Sequence, residues 1–129
     1  MGPFTGMEKL RILSMGRNML RKIERLEDVG GTLEELWLSY NQISSLDGLA
    51  ACSQLQVLYM ANNALKDWAE VEKLNALPVL REVLFIGNPI YDGMDRQTAK
   101  LHVIKRLPRI AKVDNEMVID SERDAASKL

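Results

Sequence analysis

The sequence predicts an α/β solenoid: a parallel sheet on one face, short helices on the other, and a helical cap at the C-terminal end. Three observations predict it. The stretch Leu33-Glu34-Glu35-Leu36-Trp37-Leu38-Ser39-Tyr40-Asn41-Gln42-Ile43 reads L-x-x-L-x-L-x-x-N-x-I. The same pattern returns four times in register, with leading leucines at 10, 33, 55 and 80, steps of 23, 22 and 25 residues. After each asparagine apolar residues recur every three positions, and from Asp95 to Leu107 the pattern changes to helical. Leu36 and Leu38 are two apart, so a strand turns both to one side. Asn41 ends that strand with an amide able to satisfy backbone groups left open at the turn. One such unit cannot bury its own apolar side, so neighbours must stack on it.

This is the pattern of a leucine-rich repeat. The first unit runs Leu10, Leu13, Met15, Asn18, Leu20, Ile23, Leu26, Val29, and the second Leu33, Leu36, Leu38, Asn41, Ile43, Leu46, Leu49, Cys52. The third is Leu55, Leu58, Met60, Asn63, Leu65, Trp68, Val71, Leu74, Leu77, and the fourth Leu80, Val83, Phe85, Asn88, Ile90. The spacing of three suits 3₁₀ or tight helical turns, with a longer helix around Trp68–Leu74 and Trp68 itself in the core. Residues 4–7 resemble the tail of a preceding unit, so the sequence is expected to be a piece or short form of a longer array, or to pair at that end. Residues 1–118 form the repeat domain, with 89–118 as its cap. Within the cap, Asp95 to Leu107 reads as a helix stopped by Pro108, followed by a final edge strand and a turn at Asp114-Asn115. Residues 119–129 are expected to be an exposed tail or helix, capped by Asp120 or Ser121.

The 129 residues suit one domain; 47% are hydrophobic and 27% charged, and the formal net charge is −1. Charge of that size points neither to nucleic acid nor to membrane. There is no apolar run long enough to span a bilayer and no signal-peptide pattern, which leads to the expectation of a cytosolic or cytoskeletal protein. Cys52 is the only cysteine, which excludes an internal disulfide framework. His102 is the only histidine, which excludes a multi-histidine metal site. No phosphate-binding or dinucleotide-binding glycine pattern occurs, so neither an enzyme nor a bound cofactor is expected.

Function therefore falls to the outward positions of the strands. These are Ile12, Ser14 and Gly16; Glu35, Trp37 and Ser39; Val57, Tyr59 and Ala61; Glu82, Leu84 and Ile86. In a parallel sheet equivalent positions lie about 4.8 Å apart, so Trp37, Tyr59 and Leu84 make one row flanked by Val57 and Ile86. A contiguous apolar, aromatic row on a soluble protein reads as a partner-binding face, with packing by folded-over termini as the alternative. Glu35 and Ser39 belong to the same face, and Tyr40 lies at its rim. Charge is local: Arg17, Arg21, Lys22 and Arg25 cluster after the first strand, and no acidic residue falls between Arg96 and Lys112. Both clusters read either as solvated charge or as contacts to an acidic surface.

Several of these segments resemble the leucine-rich-repeat light chains of axonemal outer-arm dynein. The resemblance rests on Leu10 to Asn18, on Thr32 to Asn41 with its E-E-L-W-L-S-Y-N core, and on Leu58-Tyr59-Met60-Ala61-Asn62-Asn63. Lys66 to Glu70, Gly87-Asn88-Pro89 and Lys105-Arg106-Leu107-Pro108 also match, so it extends from Met7 to about Val118. The sequence departs from the family in lacking an N-terminal helix and further repeats ahead of Met7, and in carrying Val113-Asp114-Asn115 where the family has Leu-Asp-Gly. The resemblance implies a non-catalytic light chain in the cilium or flagellum axoneme that binds the heavy-chain motor region, regulates motility and touches tubulin. It places heavy-chain contact on Trp37, Val57, Tyr59, Leu84 and Ile86, and basic regulatory contacts on the terminal helix, at Arg123 and Lys128. Arg17 and Arg21 are further basic candidates. The alternative keeps the fold and changes the partner: a regulatory or scaffold subunit of the phosphatase-regulator or splicing-ribonucleoprotein type.

Overall fold

A computed structural model of the chain describes Phe4, Gly6, Met7 and residues 9–129. Six strands form one sheet in chain order: β1 (Ile12–Ser14), β2 (Glu35–Trp37), β3 (Val57–Tyr59), β4 (Glu82–Leu84), β5 (Lys112–Val113) and β6 (Glu116–Met117). Strands β1 to β5 pair in parallel, and β6 returns antiparallel to β5. The register puts Leu13, Leu36, Leu58, Val83 and Val113 in one inward row. All are fully buried except Leu13, which is half-buried on the edge strand. The repeat expectation and the parallel sheet are both present.

Asparagines hold the coils together. Asn41 Nδ2 donates to Met15 O (3.0 Å) and Leu38 O (2.9 Å), while its Oδ1 accepts from Leu20 N at 3.0 Å. Asn63 repeats this with Leu38 O and Ile43 N, and Asn88 with Met60 O, Phe85 O and Leu65 N. Each amide thus ties its own strand end to the coil before it. The residue ahead of each asparagine has a positive φ: Arg17 (58°), Tyr40 (62°), Asn62 (54°) and Gly87 (84°). Three of the four carry a side chain in a region that favours glycine, so the ladder holds the backbone against a local cost.

The convex side differs from expectation. Helix α1 (Trp68–Glu72) runs into a 3₁₀ turn (Lys73–Ala76) in the third coil, and a 3₁₀ turn (Pro89–Tyr91) follows the fourth asparagine. The first two coils instead descend without a helix, through extended backbone and turns. A period of three fits either conformation, since extended backbone with three residues per turn also returns every third side chain inward. Close coil contact supports this path: Gly48 has φ 96°, and a Cβ there would run into Ile23 O. Trp68 is half-buried rather than central. It lies between the convex side and the cap, 6.1 Å from Tyr91 and 5.7 Å from His102 between ring centroids, with the Arg106 guanidinium 4.5 Å above it. A leucine position cannot take the whole indole inward, so the ring fills the seam beneath the cap helix.

That helix, α2 (Arg96–Arg106), starts at Asp95, whose carboxylate accepts from Thr98 N at 2.7 Å, and buries Ala99, Val103 and Ile104. The expected edge strand is a β5–β6 hairpin, and β6 is the edge. Its turn residues Asp114 and Asn115 have φ 49° and 68°, the geometry that tight hairpins require. Residues 119–129 take the helical form of the expected tail or helix, largely exposed but docked on the fold through its inner side. The helix, α3 (Asp120–Ser127), buries Ala126 in the core. Neither Asp120 nor Ser121 caps it: Ile119 is the N-cap, and Glu122 Oε1 accepts from Ile119 N at 3.0 Å. Lys100 is no solvated charge either. It is 5% exposed, with Nζ 3.0 Å from Glu122 and 3.4 Å from Glu116, because α3 folds over it. Of the stretch expected to end a preceding repeat, Phe4 is buried in the core and Met7 exposed, while Thr5 lies outside the described residues.

Two predictions follow from these contacts. Asn88→Ala leaves the buried Leu65 N–H unpaired and takes one of two donors from each of the Met60 and Phe85 carbonyls, and is expected to lower unfolding free energy by about 1–3 kcal/mol in urea titrations. Lys100→Met strands the Glu122 carboxylate, at an expected cost of about 3–5 kcal/mol in the same assay. Burial pushes Glu122 up, but bonds from Ile119 N–H, Lys100 and Gln97 outweigh it, and its pKa is lowered. Its stabilisation is therefore complete above the ordinary glutamate range and lost as pH falls through the lower folded value. Urea midpoints measured from pH 7 downward should fall more steeply in the wild type than in Glu122→Gln.

Candidate functional site

Two outward rows cross the sheet. One joins Ile12, Glu35, Val57, Glu82 and Lys112; the other joins Ser14, Trp37, Tyr59 and Leu84. Just past the strands, Arg17 N donates to Ser39 O, Tyr40 N to Ala61 O and Asn62 N to Ile86 O, which carries the outward positions one step further. Ladder and register together thus bring Trp37, Tyr59, Leu84 and Ile86 onto one surface.

The aromatic pair is fixed from below. Trp37 and Tyr59 stack with centroids 5.9 Å apart and planes 26° from parallel. Trp37 Nε1 donates to Glu35 Oε1 at 3.1 Å, and the Tyr59 hydroxyl donates to Glu82 Oε2 at 3.2 Å. Lys112 Nζ lies 3.8 Å from that same Glu82 oxygen. Burial first, and then the Glu82 charge, raise the Tyr59 pKa, so the phenol stays a neutral donor. Trp37 is 36% and Ile86 41% exposed, while Tyr59 and Leu84 are half-buried. Ser39 faces the same way, with its Oγ accepting from Ala61 N at 3.1 Å.

Val57 corrects the sequence expectation. It points outward but is only 3% exposed. Its row neighbours Glu35 and Glu82 are bonded across to Trp37 and Tyr59, and these longer side chains close over it. Val57 supports the face from beneath and offers it no free surface.

The basic candidates do not gather into one site. The Arg17 guanidinium sits 4.3 Å over the Tyr40 ring at the rim of the face, and Arg21 is exposed on the following turn. Arg123 is spent inside the fold, where it donates to Pro108 O (2.6 Å) and Ile110 O (2.8 Å) and fastens α3 to the cap. Lys128 is exposed and pairs with Asp124 at 3.3 Å. In the cap, Arg96 binds Glu116, and Arg109 donates to Asn75 O.

Three residues outside the expected partner-binding set shape the face. Ile12, 47% exposed, extends the apolar surface onto β1, and its outward position was the available signal. Glu82 is buried and carries both Tyr59 and Lys112, a role visible only once three strands are in register. Asp114 is also buried, and accepts from Phe85 N, Ile86 N and the Tyr91 hydroxyl, which anchors the strand end that bears Ile86. No signal in the sequence marked that bond, since its partners lie 23 to 29 residues away.

The surface can bind by apolar contact, stacking and charge. Cys52 lies in the core, where burial pushes its thiol up to about 11. Burial and the neighbouring Arg106 and Lys105 lower the His102 pKa. Among the described residues no group of three or more histidine, cysteine, aspartate or glutamate side chains could hold a metal ion.

Comparison with known proteins agrees with this architecture. Residues 32–75 match the family described as Leucine Rich repeats (2 copies). Dynein axonemal light chain 1 of Chlamydomonas reinhardtii is 48% identical over 127 residues, covering 95% of this chain and 64% of that protein. The Homo sapiens protein of the same name is 45% identical over 122 residues, covering 92% and 64%. The chain thus spans under two thirds of the length of these relatives. Among solved structures, the Drosophila melanogaster SNF/U2A' complex matches with a TM-score of 0.75 at 19% identity, over 95% of this chain and 69% of that one. Internalin C2 of Listeria monocytogenes matches at 0.59 and 22%, over 91% and 48%. These two likenesses show the fold alone. Repeats, sheet and relatives together show a leucine-rich-repeat chain that is similar, over most of its own length, to dynein axonemal light chain 1.

Proposed function

We propose that the chain is a non-catalytic light chain that docks through its sheet face on the motor region of an axonemal dynein heavy chain and regulates motility in the cilium or flagellum. The observation that carries this reading is the in-register surface of Trp37, Tyr59, Leu84 and Ile86. It is apolar, contiguous and prearranged on a chain whose relatives bear the name of a dynein light chain. Large aromatic side chains on a rigid scaffold are typical interface anchors, because they bury much area and lose little rotamer freedom. Arg17, stacked on Tyr40, and Arg21 supply basic contacts at the rim, where tubulin or an acidic patch of the heavy chain would meet them. Arg123 serves the same face indirectly, by holding the cap. Lys128 stands apart on the outer end of α3.

The reading is tested by equilibrium binding to a purified heavy-chain motor fragment. Trp37→Ala and Tyr59→Ala should each cost about 2 kcal/mol or more, roughly 25-fold in Kd. The double variant should cost less than the sum, because the two rings touch. Lys66→Ala, remote from the face, should bind like wild type. Wild-type affinity of the double variant, with an unchanged far-UV circular dichroism spectrum, would remove the sheet face from the interface.

A further inference from the structure

We propose that the partner places an arginine over the Trp37 indole, against the Glu35 carboxylate. This rests on the docking reading above and names the chemistry of the group received. The acidic side chains around the face are not alike. Glu34 is matched by Arg11 in a bidentate pair, with both contacts at 3.1 Å, and Glu82 has Lys112 and the Tyr59 hydroxyl. Glu35 has no cation within ion-pair distance among the described residues. Its Oε1 is taken by the indole N–H, and no described residue donates to its Oε2.

Arg11 feels the Glu35 charge but forms its ion pair with Glu34, so a carboxylate without an ion pair among the described residues stands beside an aromatic ring that is 36% exposed. The opposite face of the pair is already occupied, since Tyr59 stacks on Trp37 from the β3 side. The open side of the ring lies toward β1, where Ser14 stands in register with Trp37 and offers only a hydroxyl. A small residue there leaves room above the ring. A planar guanidinium suits the space: it stacks on the indole through its face and bonds the carboxylate through its edge. Lysine would gain the charge but not the stacked plane. The chain stacks a guanidinium on an aromatic ring twice internally, with Arg17 over Tyr40 and Arg106 over Trp68.

Glu35→Gln is the informative substitution, because the amide oxygen still accepts from the indole N–H while the charge is lost. Binding of Glu35→Gln to the heavy-chain motor fragment is expected to weaken about tenfold, and its dependence on salt to flatten. A second measurement needs no heavy chain. The Trp37 indole Nε1–H resonance is followed by NMR while N-acetyl-arginine amide or the uncharged N-acetyl-citrulline amide is added. A larger shift with the arginine compound, lost in Glu35→Gln, is expected. Equal shifts with both compounds, or unchanged motor-fragment affinity and salt dependence in Glu35→Gln, would overturn the arginine assignment. If Trp37→Ala still abolished binding, the docking reading would stand alone. If Trp37→Ala and Tyr59→Ala bound like wild type, the docking reading itself would fail.

Discussion

The asparagine amides are the constraint on which the rest of the structure depends. Asn41, Asn63 and Asn88 each give their amide donors to carbonyls of two successive coils and accept from an N–H of the earlier one, whereas Asn18 on the first coil bonds only Met15 O and Gly16 O. Asn88, for example, joins Met60 O, Phe85 O and Leu65 N. Buried backbone groups must be paired, and no regular ladder reaches these positions because the strands are only three residues long. The amides therefore set where each strand ends. They also force the residue before them to positive φ, and so throw the Arg17 and Tyr40 side chains up to the rim, where they stack. The spacing of the outward row is a consequence of the same bonds: coils clamped at one pitch carry Trp37, Tyr59 and Leu84 at one pitch.

A stack built this way has to be ended, and Asp114 ends it. In the inner coils an N–H just past each strand donates to the next strand's carbonyl: Met15 N to Trp37 O, Leu38 N to Tyr59 O and Met60 N to Leu84 O. Phe85 N has no such carbonyl to meet, because the chain turns away at Asp114 into the hairpin. The Asp114 carboxylate takes the carbonyl's place at 2.7 Å, and the Tyr91 hydroxyl binds its other oxygen at 2.7 Å. Burial, with the Asp114 charge behind it, pushes the Tyr91 phenol far up, so the hydroxyl remains a donor. Arg96 then binds Asp114 O from the first turn of α2. One carboxylate thus substitutes for a whole further repeat, and the helix that covers the last core layer is tied to it.

What the sequence made legible was direction, and what it concealed was cover. Period two separated Leu36 and Leu38 from Trp37 correctly, because side-chain alternation is a property of the strand itself. Whether an outward residue is free depends on the lengths of its neighbours on other strands. Val57 disappears under Glu35 and Glu82, while Ile86 stays open beside the small Ala61. Glycine aside, the same limit governs the charges. Lys100 reads as solvated in a linear charge count, and the resemblance makes Arg123 a regulatory contact, yet one is buried by α3 and the other fastens it. Residues 119–129 are only modestly apolar, so their docking onto the cap, through Ala126, through Glu122 to α2 and through Arg123 to Pro108 and Ile110, rests on small-residue contact and polar bonds that leave little trace in a hydrophobic pattern. The period of three was ambiguous for a similar reason: it fits a helical turn and an extended descent equally, and close approach at Gly48 accompanies the second.

These two levels meet at the face. A flexible exposed tryptophan would have to be ordered on binding, at a cost in rotamer freedom. Here the indole is already held by a hydrogen bond on one edge and a stacked phenol on one side, and the phenol is held in turn by a buried carboxylate that Lys112 of β5 partly neutralises. The bonds run from β2 through β3 and β4 to β5, so the orientation of the Trp37 ring depends on a lysine three strands away. The cap is therefore more than a cover for the last repeat. By fixing β5, it sets Lys112 against Glu82 and so helps set the angle of the surface the chain presents. Loosening the cap should alter the face before it unfolds the stack, so the hairpin and α3 help set the geometry of the proposed docking surface.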